Sequence, residues 1–142
     1  MPSFTIQNQD FLIKGLLASS QVALCAAAED VLKKQGLPVP TPIGLEAKID
    51  TGADRSVLSK GIAAQLGLHP VGVSFVDTPS SQNIRCYEYA VRIIFPNDVV
   101  WQGALLESPM EDATKQCLIG RDILGHGVLT YIGYHNLFTL SF

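Results

Sequence analysis

The chain has no cationic excess, no paired cysteines and no long apolar run, and each shortage removes a class of function. Lys and Arg number 10 against 13 Asp and Glu, for a formal net charge of -3. That balance cannot neutralise a phosphate backbone, so nucleic acid is not an expected partner. Cys25, Cys86 and Cys117 are odd in number and widely spaced, with no C-x-x-C pair and no adjoining histidine. A disulfide framework and a structural zinc site are therefore unsupported. Buried, reduced thiols fit a reducing compartment, and a cytoplasmic location is expected over export. The stretch FLIKGLLASSQVALCAAAED imitates a secretory leader, but the preceding MPSFTIQNQD carries Asp10 and no Lys or Arg. Lys14, Ser19, Ser20 and Gln21 interrupt the apolar residues, which fall short of the roughly 18 needed to span a membrane. His69, His126 and His135 are scattered, without i, i+4 spacing or a serine or cysteine motif beside them, so a catalytic triad is not expected.

What remains is enough for one core. A chain of 142 residues with 47% hydrophobic content is the size of a single domain, 1–142. Alternation in SFTI and in FLIKGLL predicts strands around Phe4 and from Phe11 to Leu17. QVALCAAAEDVLKKQG reads as a helix with a stripe of Val22, Cys25, Ala28 and Val31 or Leu32, capped by Gly36, before the stiff connector LPVPTP. From Gly44 on, strand patterns dominate: GLEAKI, SVL, VGVSFV, RCYEYAVRIIF, VVWQGALL and CLI. Ser59 is placed to cap a short helix through KGIAAQL, and GRDILGHG reads as another. A polar loop, ESPMEDATKQ, precedes CLI, and VLTYIGY and LFTLSF close the chain as a hairpin around HN.

The stretch KIDTGADRSVLS carries the chemistry. A strand that ends on Asp50 fixes a carboxylate on rigid scaffolding, which suits a reactive acid. Gly52 has no Cβ, so its amide can point at that carboxylate; Thr51 offers a hydroxyl to a neighbour; Ala53 is small. Asp and Gly are also ordinary turn residues, so the tripeptide alone is a weak signal. An Asp50 and Asp54 metal site lacks a third ligand, and no metal or organic cofactor is expected.

Two segments together are more specific. IDTGADRSVL resembles the active-site loop of the retropepsin-like aspartic proteases, and CLIGRDIL resembles that family's second signature, which packs beneath the loop. The resemblance covers residues 44–142 and implies an all-β fold, a closed β-barrel with one or two short helices, with residues 18–43 as a helix-plus-connector insertion. It implies peptide hydrolysis by a water activated between two aspartates that share a proton. DTP at Asp77 and the segment after Asp122 cannot supply a second such loop, so the resemblance implies a homodimer that pairs two copies of Asp50 on a two-fold axis.

Further roles follow from the same resemblance. Asp50, Thr51 and Gly52 are the catalytic loop, with Thr51 bonding across the axis. Ala53 and Asp54 line the substrate groove, Arg121 pairs with Asp54, and Gly120, Arg121 and Asp122 support the loop. Thr78, Pro79, Ser80 and Ser81 lie at the tip of a flap that would cover a peptide or protein substrate. TLSF is similar to the last strand of retroviral proteases, which helps build the dimer sheet. Departures are the glycine-free flap tip TPSSQN, Arg55 where many viral members carry an acid, and the 18–43 segment. They leave a second expectation from another class: a non-proteolytic dimerisation or peptide-binding module on the same barrel.

Overall fold

The computed structural model describes residues 1–111, 114 and 116–142. Its strands are β1 (Ser3–Gln7), β2 (Leu16–Leu24), β3 (Ile43–Ile49), β4 (Val57–Leu58), β5 (Gly72–Thr78), β6 (Ser81–Ile94), β7 (Val100–Glu107), β8 (Gln116–Ile119), β9 (Val128–Ile132) and β10 (Leu137–Ser141). Four short helices interrupt them: α1 (Phe11–Lys14), α2 (Ala26–Lys34), α3 (Ile62–Gln65) and α4 (Arg121–Leu124).

Seven strands form one sheet in the order β2-β3-β8-β4-β7-β6-β5. Because β2 also pairs with β6, from Gln21 against Ile94 to Leu24 against Val91, the sheet returns on itself. This leaves β5 outside the closed ring, as the outer strand of a hairpin with the first half of β6. The ring fits the all-β, barrel-like fold that the resemblance implies, and its closure leaves β5 as the outer edge of this sheet. Alternation is clean in β3, where Leu45, Ala47 and Ile49 point inward and are buried.

A second sheet, β1-β10-β9, packs against the ring through aromatic rings. Phe4 stacks on Phe95 at 5.3 Å and meets Phe138 edge-on at 6.0 Å, while Phe11 lies 5.5 Å from Phe138. In this sheet β10 is central, bonded to β1 on one side and to β9 on the other. TLSF, expected from the resemblance to help build a dimer sheet, thus has both its edges paired within the chain.

Three local readings also differ. Phe11 to Leu17 is not a strand. Residues 11–14 form a helical turn, because the Lys14 and Gly15 amides donate to the carbonyls of Asp10 and Phe11, and Gly15 leaves it at φ +80°. The strand begins at Leu16 and runs on through Val22, Ala23 and Leu24, which the sequence places in a helix. Those three are buried and pair with β6, and Val22 pairs with β3 as well, so pairing overrides the helical stripe. Helix α2 starts only at Ala26, which moves the start of the helix-and-connector segment from residue 18 to Cys25. It ends as expected at Gly36, whose φ of +69° lets its amide reach Lys33 while the Leu37 amide reaches Leu32. Ser59 does not cap α3. Gly61 occupies that position, and the Ser59 hydroxyl accepts the Gln116 amide at 2.9 Å instead. Part of the predicted loop ESPMEDATKQ lies outside the described residues, and no described helix is long and apolar enough to cross a membrane.

Candidate active site

Strand β3 ends at Ile49, and Asp50 continues its parallel pairing with β8 by donating its amide to the Ile119 carbonyl at 2.9 Å. The carboxylate is half-buried. Its Oδ1 accepts the Gly52 amide at 2.9 Å, and a Cβ on Gly52 would stand 3.1 Å from the same oxygen. The sequence argument for glycine at this position therefore holds as geometry.

The second signature fastens this loop from below. Gly120 passes so close to it that a Cβ would lie 2.8 Å from the Arg55 carbonyl and 3.0 Å from the Ala53 oxygen, both backbone. The Arg121 amide donates to Ala53 at 2.9 Å. Ser56, fully buried, donates its hydroxyl to Asp122 Oδ1 at 2.6 Å and its amide to Oδ2 at 3.0 Å, and accepts the Gly120 amide at 2.8 Å. Every polar atom of that serine is satisfied, which a buried hydroxyl requires.

The expected pairing of Asp54 with Arg121 is not made. Asp54 is exposed, and among the described residues it forms no ion pair. Arg121 donates Nη1 to the Thr51 and Gly52 carbonyls at 2.9 and 3.2 Å, supporting the loop through its backbone. The ionic link between the motifs runs through Arg55, whose Nη2 reaches Glu88 Oε1 at 2.6 Å and whose Nε stands 3.7 Å from Asp122 Oδ2. Ser74 donates to the same Glu88 oxygen at 2.8 Å. The Arg55 guanidinium, then the Ser74 hydroxyl, hold Glu88 below the ordinary carboxylate range. Sequence reasoning noted Arg55 only as a change of charge and missed Glu88 and Ser56. A lone acid between tyrosines in CYEYAV was the available signal.

Above the loop lies a cleft of about 550 Å³ lined by Asp50, Gly52, Ala53, Asp54, Arg55, Thr78 and Pro79, with apolar walls from Val57, Val76, Leu106, Met110 and Leu118. Five of these positions, Gly52, Ala53, Asp54, Thr78 and Pro79, share the cleft with Asp50. Thr51, Ser80 and Ser81 are exposed and do not line it. The hairpin over the cleft turns at Pro79 and Ser80, where Thr78 Oγ1 accepts the Ser81 amide at 3.1 Å. An irregularity follows: Asn83 adopts φ +56° and donates its amide to Asp77 Oδ1 at 2.8 Å. Cys86 also lines the cleft, and burial pushes its thiol up; burial holds the Cys117 thiol at about 12, so it stays protonated. No cluster of three or more metal-ligating side chains occurs among the described residues.

No family model and no curated protein matches the sequence. Solved structures do. A retropepsin-like aspartic protease from Rickettsia conorii superposes with a TM-score of 0.56 at 14% identity, covering 99% of this chain and 90% of the other. EIAV protease, solved with the inhibitor HBY-793, gives 0.51 at 18% identity, covering 85% and 93%. At such identities the likeness establishes the fold, which is retropepsin-like.

Proposed function

We propose that the chain is one half of an aspartic endopeptidase, completed when a second copy brings its own Asp50 to the first. The observation that carries this reading is the Asp50 loop itself: a carboxylate at a strand end, held by a backbone amide, braced from beneath and open to a largely apolar cleft. Hydrolysis of an amide needs one group to take a proton from water while another gives one to the carbonyl. Two carboxyls about 3 Å apart share a single proton and divide those roles, as is the rule for paired catalytic aspartates. Thr51, exposed beside Asp50, would bond to the partner loop. A peptide would lie extended beneath the β5–β6 hairpin, acting as a flap, with backbone bonds giving affinity and the apolar walls giving choice.

The surface beside Asp50 supports a self-complementary contact. Leu16 pairs with Ile49, so α1, which ends two residues earlier at Lys14, sits next to the catalytic loop. Its Leu12 and Ile13 are 91% and 87% exposed, adjacent aliphatic side chains that water does not favour. Because both edges of β10 are paired within the chain, this patch is taken as the proposed seam.

The test is sedimentation together with cleavage of an unfolded protein substrate. A dimer, turnover lost in Asp50→Asn and acid-favoured binding of pepstatin lost in the same variant are expected. A strictly monomeric chain that neither cleaves nor binds pepstatin overturns the peptidase reading and leaves a binding module, the reading that the glycine-free hairpin tip favours.

A further inference from the structure

Glu88 is the residue at which β6 changes neighbours. On one side it is the last to pair with β5, opposite Gly72; on the other it is the first to pair with β7, opposite Leu106. Residues 73–87 therefore leave the barrel at this point, and their outer face, Val73, Phe75 and Tyr87, is exposed. At that root a single carboxylate collects Arg55 Nη2 at 2.6 Å from the catalytic loop and Ser74 Oγ at 2.8 Å from β5. Arg55 also faces Asp122, which is itself pinned by Ser56 and by the Ile123 amide at 2.9 Å. Space for the carboxylate depends on Gly72, where a Cβ would stand 2.6 Å from Glu88 Oε2.

We propose that Arg55 and Glu88 form a latch at the root of the β5–β6 hairpin, setting its height over the Asp50 cleft, and that Arg55 is thereby a positioning residue for an extended peptide held between them. A charge-assisted bond is stronger than a neutral one, and here it joins a braced floor to a segment with few other ties. When it holds, hairpin and floor keep a fixed separation; when it is released, the hairpin pivots about Glu88 while the barrel stays intact. The kinetic part rests on the peptidase reading, whereas the mechanical part does not.

Hydrogen exchange on the full chain tests the mechanical part in Glu88→Gln, Gly72→Ala and Arg55→Lys. Gly72→Ala displaces the carboxylate without altering any charge, at a residue whose backbone accepts a side chain. Amides of residues 73–87 should exchange about tenfold faster in Glu88→Gln and Gly72→Ala and by an intermediate factor in Arg55→Lys, with residues 45–49 and 117–119 unchanged. Unaltered hairpin exchange in both of the first two variants, or equal acceleration in the barrel, overturns the latch. With a cleavable peptide, KM should rise about tenfold and kcat change less than about threefold; faster hairpin exchange with KM unmoved overturns the positioning role. A wild-type chain that cleaves nothing sinks the proposed function, and the exchange experiment still decides the latch.

Discussion

The floor of the cleft and the hairpin above it are built on opposite plans. Residues 50–56 are held by backbone and side-chain bonds from β8, Gly120, Arg121 and Asp122, and the buried Ser56 leaves none of its groups unpaired. Residues 73–87 hold mainly to one another, and their ionic tie to the rest is Glu88 at their root. Under the proposed function, a group that meets its twin within hydrogen-bonding range needs a rigid support, and a cover that admits a polymer must lift. The difference is one of tie density within a single sheet, and fewer ties mean lower local stability.

Each part of that contrast can be broken separately. The largest effect is expected from Asp50→Asn, which should lower turnover by roughly 10³ or more while leaving the fold intact, read by peptide cleavage and circular dichroism. Next is the double change Leu12→Asp and Ile13→Asp, which should weaken self-association about a hundredfold in sedimentation, with activity recovering as protein concentration rises. Ser56→Ala should destabilise by about 1–3 kcal/mol in urea unfolding, because the Gly120 amide loses its acceptor and Asp122 a donor inside the floor. Lowering the pH should loosen the hairpin. Glu88 is depressed in the folded state by Arg55 and then Ser74, so its contribution is whole above the ordinary value of 4.5 and fades as pH falls through the lower folded value. Hairpin exchange, corrected for intrinsic rates, should then match at pH 7 and 5 and quicken only below the ordinary value of 4.5. Smallest is Phe75→Ser: the ring is 62% exposed, and stability should change by less than about 0.5 kcal/mol.

The floor was legible in the sequence because its signals are local. Asp50 at a strand end and Gly52 two residues on need only their neighbours to make sense, whereas Gly120 and Arg121 were placed by the resemblance of CLIGRDIL. What was hidden depends on register. Arg55 and Glu88 are 33 residues apart and Ser56 and Asp122 are 66 apart, so nothing near either residue names its partner. The same holds for Val22 to Leu24, whose helical spacing gives way to two strands arriving from residues 43 and 91–94. Arg121 was assigned to Asp54 by the resemblance, but the Thr51 and Gly52 carbonyls take its guanidinium instead. At Ser59 a hydroxyl that suits a helix start was claimed by the incoming β8.

The placement of two thiols gives the molecule its own pair of clocks. Cys86 faces the cleft from the hairpin, and Cys117 lies wholly buried within the ring. A thiol-specific reagent should reach the first each time the cover swings up and the second only when the whole molecule comes apart. The ratio of their labelling rates, taken on unmodified protein, would therefore measure how often the cover swings up for every time the entire ring opens.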